Sequence, residues 1–377
     1  MIVIADDITG AAEIAGIAWK QGSEVQLRCG CPVCGDTIAA TGTVVIATDT
    51  RSMTAADAVA ETRRIASQFP ILSFSQFLIF KKTDSALRGH VVAELTALME
   101  STGYRRAVYL PANPSKGRII RNGTYYIGDK PIHETDFSFD PEFPATTSVL
   151  RERFPDAEAN GIIMPDAASA EDIRRIVADY NDGHTLFAGA ADLFAELLSA
   201  HHSPLTTHRS PLTTHHSPLT PHHSPLTPHH SPLTTHHSPS STLLLCGSTQ
   251  SRPPSIGIPV SPMPIDIYDG ADDLSLWNTD AYAESHSLIL TIPHHHRTGH
   301  AAAAHLRSVM ARMAVRLVAQ HRPDELIIEG GATAWATLQA LAWTDFTITD
   351  EIAPGVVRMH AAQGSYVTIK PGSYPWH

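Results

Sequence analysis

Phe77-Leu78-Ile79-Phe80-Lys81-Lys82-Thr83-Asp84-Ser85-Ala86-Leu87-Arg88-Gly89 runs from an apolar strand into a turn dense in charge, and a helical pattern follows from Val91 to Met99. A strand-to-helix turn needs glycine and polar turn formers, but it has no need of three cations and an acid. Binding a small anion does need them. This stretch therefore sets both an expected fold and an expected site.

The same order of residues recurs. Ile2 to Ala5 leads into Asp6-Asp7-Ile8-Thr9-Gly10 and an Ala-rich helical pattern through Trp19. Thr43 to Ala47 leads into Thr48-Asp49-Thr50-Arg51-Ser52, followed by a helix from Ala55 to Ser67. Ala107 to Leu110 leads into Pro111-Ala112-Asn113-Pro114-Ser115-Lys116-Gly117-Arg118. Short apolar strands alternating with helices predict an α/β fold with largely parallel sheets and right-handed crossovers. In such sheets the loops after the strand C-termini share one edge, where ligands bind. That edge would collect Asp6, Asp7, Asp49, Arg51, Lys82, Asp84, Arg88 and Arg118 around one crevice, with Ser85 and Gly89 in the same turn. Any single polar loop is ordinary solvated surface; four charged ones on one edge point to a site.

Length and composition bound the rest. A chain of 377 residues predicts two α/β domains, 1–198 and 242–377, with the active site in the cleft between them. At 43% hydrophobic and 17% charged it reads as globular, and a net charge of -11 argues against a nucleic-acid surface. A local cation cluster can still hold an anionic substrate. No apolar run approaches the roughly 20 residues that span a bilayer, and the sequence opens directly on a strand, so no membrane association and a cytoplasmic location are expected. Cys29, Cys31 and Cys34 have uneven spacing and Cys246 is remote, which does not suit structural zinc. Between the domains, residues 199–241 read as a linker: a seven-residue His-His-Ser-Pro-Leu-Thr-Thr/Pro unit repeats there, with proline in every copy. Proline excludes a continuous helix, and one leucine per unit buries too little surface to offset chain entropy.

The second domain carries its own glycine turns. Glu325 to Ile328 reads as a strand, followed by Glu329-Gly330-Gly331-Ala332-Thr333-Ala334 and a helix to Leu341. Paired glycines let a ligand approach the backbone, and the helix start presents unpaired N–H groups that suit phosphate; a tight structural turn is the alternative. Gly247-Ser248 and Lys370-Pro371-Gly372-Ser373 repeat the pattern at other strand ends. His294-His295-His296 reads as a solvated loop rather than a metal triplet. There is no Gly-x4-Gly-Lys-[Ser/Thr] loop and no Gly-x-Ser-x-Gly elbow, which disfavours Walker-type ATPases and α/β hydrolases.

The chain resembles the four-carbon acid sugar kinases, which phosphorylate threonate, erythronate and 3-oxo-tetronate with ATP. The resemblance is carried, in family order, by ADDITGAAEIAG from Ala5, TDTRS from Thr48, KKTDSALRG from Lys81 and LPANPSKGRIIRNG from Leu110. PIHETDFSFDPEFP from Pro131, EGGATA from Glu329 and KPGSY from Lys370 complete it, and Ala86 stands where the family usually has Thr. It implies that the first domain holds a sugar acid and the second holds Mg·ATP, on Ser248, Gly330, Gly331, Ala332, Thr333, Gly372 and Ser373, with Gly355 lining the adenine side. It also implies transfer of phosphate to the terminal hydroxyl, giving a 4-phosphate.

On that reading Arg51 and Arg88 grip the substrate carboxylate through paired hydrogen bonds. Lys82 meets the travelling phosphoryl group as a point charge. Asp84 is the favoured partner of the attacking hydroxyl, Asp7 its rival, and one of Asp6, Asp7 and Asp84 is available to Mg²⁺. The metal ligands, the substrate stereoisomer and homo-oligomerisation stay open. The alternative is a non-catalytic sugar-acid sensor on the same fold.

Overall fold

The computed structural model describes residues 1–30, 42–68, 78–140, 142–202, 240–247, 253–293, 299–372 and 376. The repeat from 203 to 239 lies outside them, as do Cys31, Cys34, Ser248, His294 to His296 and Ser373.

The first half runs β1 (Ile2–Ala5), α1 (Ile8–Lys20), β2 (Val25–Cys29), β3 (Thr43–Ala47), α2 (Ala55–Ala66), β4 (Ile79–Lys82), α3 (Val91–Thr102) and β5 (Arg106–Leu110). A small antiparallel sheet follows, β6 (Arg118–Arg121), β7 (Thr124–Ile127) and β8 (Lys130–Pro131). Then come α4 (Leu150–Arg153), β9 (Ile162–Ile163), α5 (Ala170–Tyr180), β10 (Thr185–Gly189) and α6 (Ala191–His202). The second half contains β11 (Thr242–Cys246), β12 (Val260–Pro262), α7 (Ile265–Tyr268), α8 (Ala281–Ser285), β13 (Ser287–Thr291) and α9 (His300–His321). It closes with β14 (Glu325–Glu329), α10 (Gly331–Ala340), β15 (Asp345–Ala353), β16 (Val356–Ala361) and β17 (Tyr366–Lys370).

The expected α/β architecture with mostly parallel pairing is what the chain adopts. β2-β3-β1-β4-β10-β5-β9 are parallel, as are β12-β13-β11-β14-β17. Strands β1, β3, β10 and β11 are buried at every position, as parallel strands covered on both faces must be.

The two parallel blocks are not separate sheets. The antiparallel strands β15 and β16 stitch them into one 14-stranded sheet, with β15 paired to β2 through Phe346 opposite Leu27. This pairing covers what would otherwise be a bare edge of hydrogen-bonding groups. Arg28 Nε lies 3.2 Å from Asp345 Oδ1 across the seam, and Gln26 Nε2 donates to Thr347 Oγ1 at 3.0 Å.

Alternation along β4 separates the two lysines of the motif. Successive side chains point to opposite faces of a sheet, so Lys81 and Lys82 part company. Lys81 turns into the core and lies 2.6 Å from Glu94 Oε2, with side chains 0% and 2% exposed. Lys82 faces the loops at the strand ends. Among the described residues no helix is long and apolar enough to cross a membrane.

Candidate active site

The strand-end loops of the first half enclose a cavity of about 570 Å³. Asp7, Arg51, Lys82, Asp84, Ser85, Arg88 and Arg118 all line it, so most of the first-half residues singled out from sequence converge. The cavity is not simply cationic. Arg51, Lys82, Arg88, Lys116 and Arg118 are matched by Asp7, Glu13, Asp84, Asp136 and Asp140. Such a lining offers cations to a carboxylate and acceptors to hydroxyl groups.

Each charge is held by identifiable partners. Asp7 caps α1, its Oδ1 accepting from Gly10 N at 3.0 Å. The same oxygen accepts from Arg51 Nη2 at 2.9 Å, while Oδ2 accepts from the Thr9 hydroxyl. Burial works against ionisation of Asp7, but Arg51, Lys82 and the Thr9 hydroxyl outweigh it and hold its pKa below the usual carboxylate range. Asp84 accepts from Arg88 at both oxygens, at 2.8 and 3.0 Å, with Arg51 Nη1 at 3.8 Å. Burial opposes its ionisation too, yet Arg51 and Arg88 push its pKa far down. The carboxylate favoured from sequence as the hydroxyl's partner is thus engaged by a guanidinium fork, and its rival Asp7 by Arg51, Gly10 and Thr9.

Three residues expected to touch substrate stand back from this cavity. Asp6 is buried, and both oxygens accept from Arg51, at 3.1 Å from Nε and 2.8 Å from Nη2. It braces Arg51 rather than facing the cavity. Arg51, in turn, is committed to Asp6 and Asp7, which leaves less of it for a substrate carboxylate. Gly89 lines a different hollow, beside His90 and Arg153, because the chain has already turned toward α3.

Asp49 is the third. It has left-handed backbone (φ 55°), and its Oδ1 accepts from the Ser52 hydroxyl at 3.0 Å. Burial pushes its pKa up to about 6. A carboxyl whose folded pKa is raised contributes stability that is complete below its ordinary value of 3.8 and lost as pH rises through about 6. Asp49→Asn keeps a hydrogen-bond acceptor and tolerates left-handed backbone. It is expected to raise the melting temperature at pH 8 and to leave it unchanged at pH 3.5, read by thermal melts at both pH values.

Arg118 was one of ten candidates in the sequence and emerges as the best placed cation. It opens β6, donates to Ser85 Oγ, and packs 5.7 Å from the Phe137 ring centroid, with Arg88 at 5.8 Å from the same ring. Among the described residues it has no carboxylate within 4 Å, unlike the other four cations of the cavity.

Sequence reading passed over Glu13 and Lys116. Glu13 Oε1 lies 2.5 Å from Lys116 Nζ and Oε2 lies 3.5 Å from Lys82 Nζ, so one carboxylate holds two lysines side by side. A signal existed: Glu13 is the only charged residue of α1 before Lys20.

A second cavity, about 320 Å³, lies at the strand ends of the other half. Gly330, Gly331, Ala332, Thr333 and Gly372 line it together, as their shared sequence pattern suggested. Gly247 belongs to it too: a methyl group there would lie 2.0 Å from Thr333 Oγ1, so only glycine lets β11 pass the start of α10. Ser248 and Ser373 fall outside the described residues. Gly355 is placed differently from expectation, in the first cavity. Its N–H donates to Glu351 Oε1 at 2.8 Å, and Glu351 Oε2 lies 2.7 Å from Lys20 Nζ at the end of α1. The β15–β16 hairpin tip is thereby folded over α1 toward the first half.

The two cavities share a thin wall. Pro371 lines the first and Gly372 the second. A methyl group at Gly331 would sit 2.9 Å from Thr9 Cγ2 and 3.7 Å from Asp7 Oδ2. The starts of α1 and α10 therefore abut, one from each half. Among the described residues no cluster of three or more His, Cys, Asp and Glu is arranged to hold a metal ion.

This is an α/β protein with a polar, charge-balanced cavity set against a glycine-lined one. A family model for a sugar-binding N-terminal domain matches residues 1–156, and one for a nucleotide-binding C-terminal domain matches residues 277–374. The chain belongs to the four-carbon acid sugar kinase family that combines these domains. A D-threonate kinase of Bordetella bronchiseptica is 33% identical over 39% of this chain and 36% of its own length. One from Salmonella typhimurium is 32% identical over 40% of this chain and 35% of its own. The match thus spans about a third of those relatives. A 3-oxo-tetronate kinase of Brucella melitensis is 26% identical over 94% of this chain and 88% of its own. A Haemophilus influenzae protein of known structure shares the fold, with a TM-score of 0.65 at 18% identity over 99% of this chain and 96% of that one.

Proposed function

We propose that the protein is an ATP-dependent kinase that phosphorylates the terminal hydroxyl of a four-carbon sugar acid to its 4-phosphate. The observation that supports this reading is the closeness of Thr9 and Asp7 to Gly331, where an added methyl group would lie 2.9 Å from Thr9 Cγ2 and 3.7 Å from Asp7 Oδ2, so that the two cavities are neighbours. A sensor would need the first cavity alone.

In this reading the acid's carboxylate meets Arg118, with Arg88 beside it, and its hydroxyls meet the carboxylates of the same cavity. The terminal hydroxyl lies against Asp7. The ATP phosphates lie at the start of α10, where unpaired N–H groups and the positive end of the helix favour them. Phosphoryl transfer then asks mainly for alignment and charge neutralisation. Lys82 and Lys116, spaced by Glu13, supply positive charge on the acceptor side. Mg²⁺ would be held chiefly by the ATP phosphates and water, and when bound it neutralises phosphate charge.

The test is a coupled ADP-release screen with the full chain over threonate, erythronate and their 3-oxo forms. At least one acid is expected to give ADP. Arg118→Ala is expected to raise KM for that acid about 10–100-fold, the worth of hydrogen bonds between charged groups, with KM for ATP unchanged. An acid that binds without any ADP release would favour the sensor.

A further inference from the structure

We infer that Arg307 is the side chain that reads the phosphate chain of the nucleotide in the second cavity. This rests on the kinase reading and adds a residue to it that no sequence motif contains.

The second cavity is lined by small and apolar groups: glycines, Ala303 and Ala332, Ile292 and Leu306. Arg307 is the one charged residue among the described residues of that lining. It sits on α9, where Ala303, Leu306 and Arg307 fall at i, i+3 and i+4 and so share one face. That face lies across the cavity from the glycine turn that begins α10. Among the described residues no carboxylate lies within 4 Å of Arg307, so the half-buried guanidinium has no ion-pair partner of its own.

A cation facing glycine and aliphatic surface gains most when an anion shares the space, because the low dielectric strengthens the attraction. A planar guanidinium matches phosphate oxygens through two parallel hydrogen bonds, whereas the apolar wall suits a base or ribose. Arg307 also acts electrostatically on Asp49, which belongs to the sugar half. The guanidinium is thus within electrostatic reach of the first half of the chain.

The experiment is calorimetric titration of the full chain with ADP and, separately, with adenosine. Wild type is expected to bind ADP more tightly than adenosine. Arg307→Ala should weaken ADP at least about tenfold and leave adenosine binding unchanged. Arg307→Lys, which keeps the charge and loses the fork, should retain part of the preference. A thermal melt of each variant checks that the fold is intact. Wild-type ADP affinity in Arg307→Ala overturns the inference, and so does an equal loss for ADP and adenosine, which would make Arg307 part of the apolar wall. If wild type itself binds neither compound, the nucleotide reading of the cavity fails, and the role of Arg307 falls with it.

Discussion

Asp7→Asn is expected to leave the protein folded and to lower turnover by about 10²–10⁴-fold, the usual worth of a positioned general base. The substitution is chosen to isolate charge. Asn caps a helix as well as Asp does, so the bond from Gly10 N to the side chain at position 7 survives. Arg51 keeps Asp6 at 2.8 Å and Asp84 at 3.8 Å, so no guanidinium is stranded. What disappears is the carboxylate that lines the first cavity and lies near the Gly331 turn. Its lowered pKa suits a group that orients the hydroxyl and takes its proton late, since the transferring group carries little demand for a strong nucleophile. Single-turnover rates at saturating ATP and acid measure this directly. Near-normal turnover would move the role elsewhere and leave Asp7 as a helix cap.

Lys81→Met is expected to destabilise the protein by about 3–5 kcal/mol, the cost of leaving a buried charge without its partner. Lys81 and Glu94 are both sealed from solvent, 2.6 Å apart. Without Lys81, the Glu94 carboxylate retains, among the described residues, only hydroxyl donors: Thr50 Oγ1 at 2.8 Å and Thr62 Oγ1 at 3.4 Å. Methionine fills much of the vacated volume, so the loss reports on charge rather than on a cavity. Replacing both residues, as Lys81→Met with Glu94→Gln, should recover most of the loss. Denaturant unfolding of the two variants checks the pair. A Lys81→Met protein as stable as wild type would mean that water reaches Glu94.

The two predictions concern neighbouring residues in the same structural grammar, and they show how far the sequence can be read. The strands, their parallel pairing and the loops at their ends follow from short apolar runs broken by polar turns. The turn at 81–89 announced an anion-handling site, and Lys82, Asp84, Ser85 and Arg88 do line the first cavity. The glycines at 330, 331 and 372 likewise gather around the second. Asp6 and Asp49 were legible as loop acids, but not as residues standing behind the site. Nothing local distinguishes an acid that faces substrate from one that braces an arginine. Glu13 and Arg307 escaped because each lies inside a helix, where position on the helix face, not loop membership, decides what it meets.

Local covalent geometry is written in the sequence residue by residue: a strand alternates its side chains, so one of two adjacent lysines had to face the core. Sequence therefore determined the α/β elements, the edge at which the loops gather and the charges available there. Tertiary structure alone decided that β15 would seal β2, through contacts such as Gln26 with Thr347, 321 residues apart in the chain. It alone folded the Gly355 hairpin tip over α1, and it alone brought the start of α1 against that of α10. Such pairings are selected by burial and by satisfied edges across the whole chain, and no short pattern of residues encodes them.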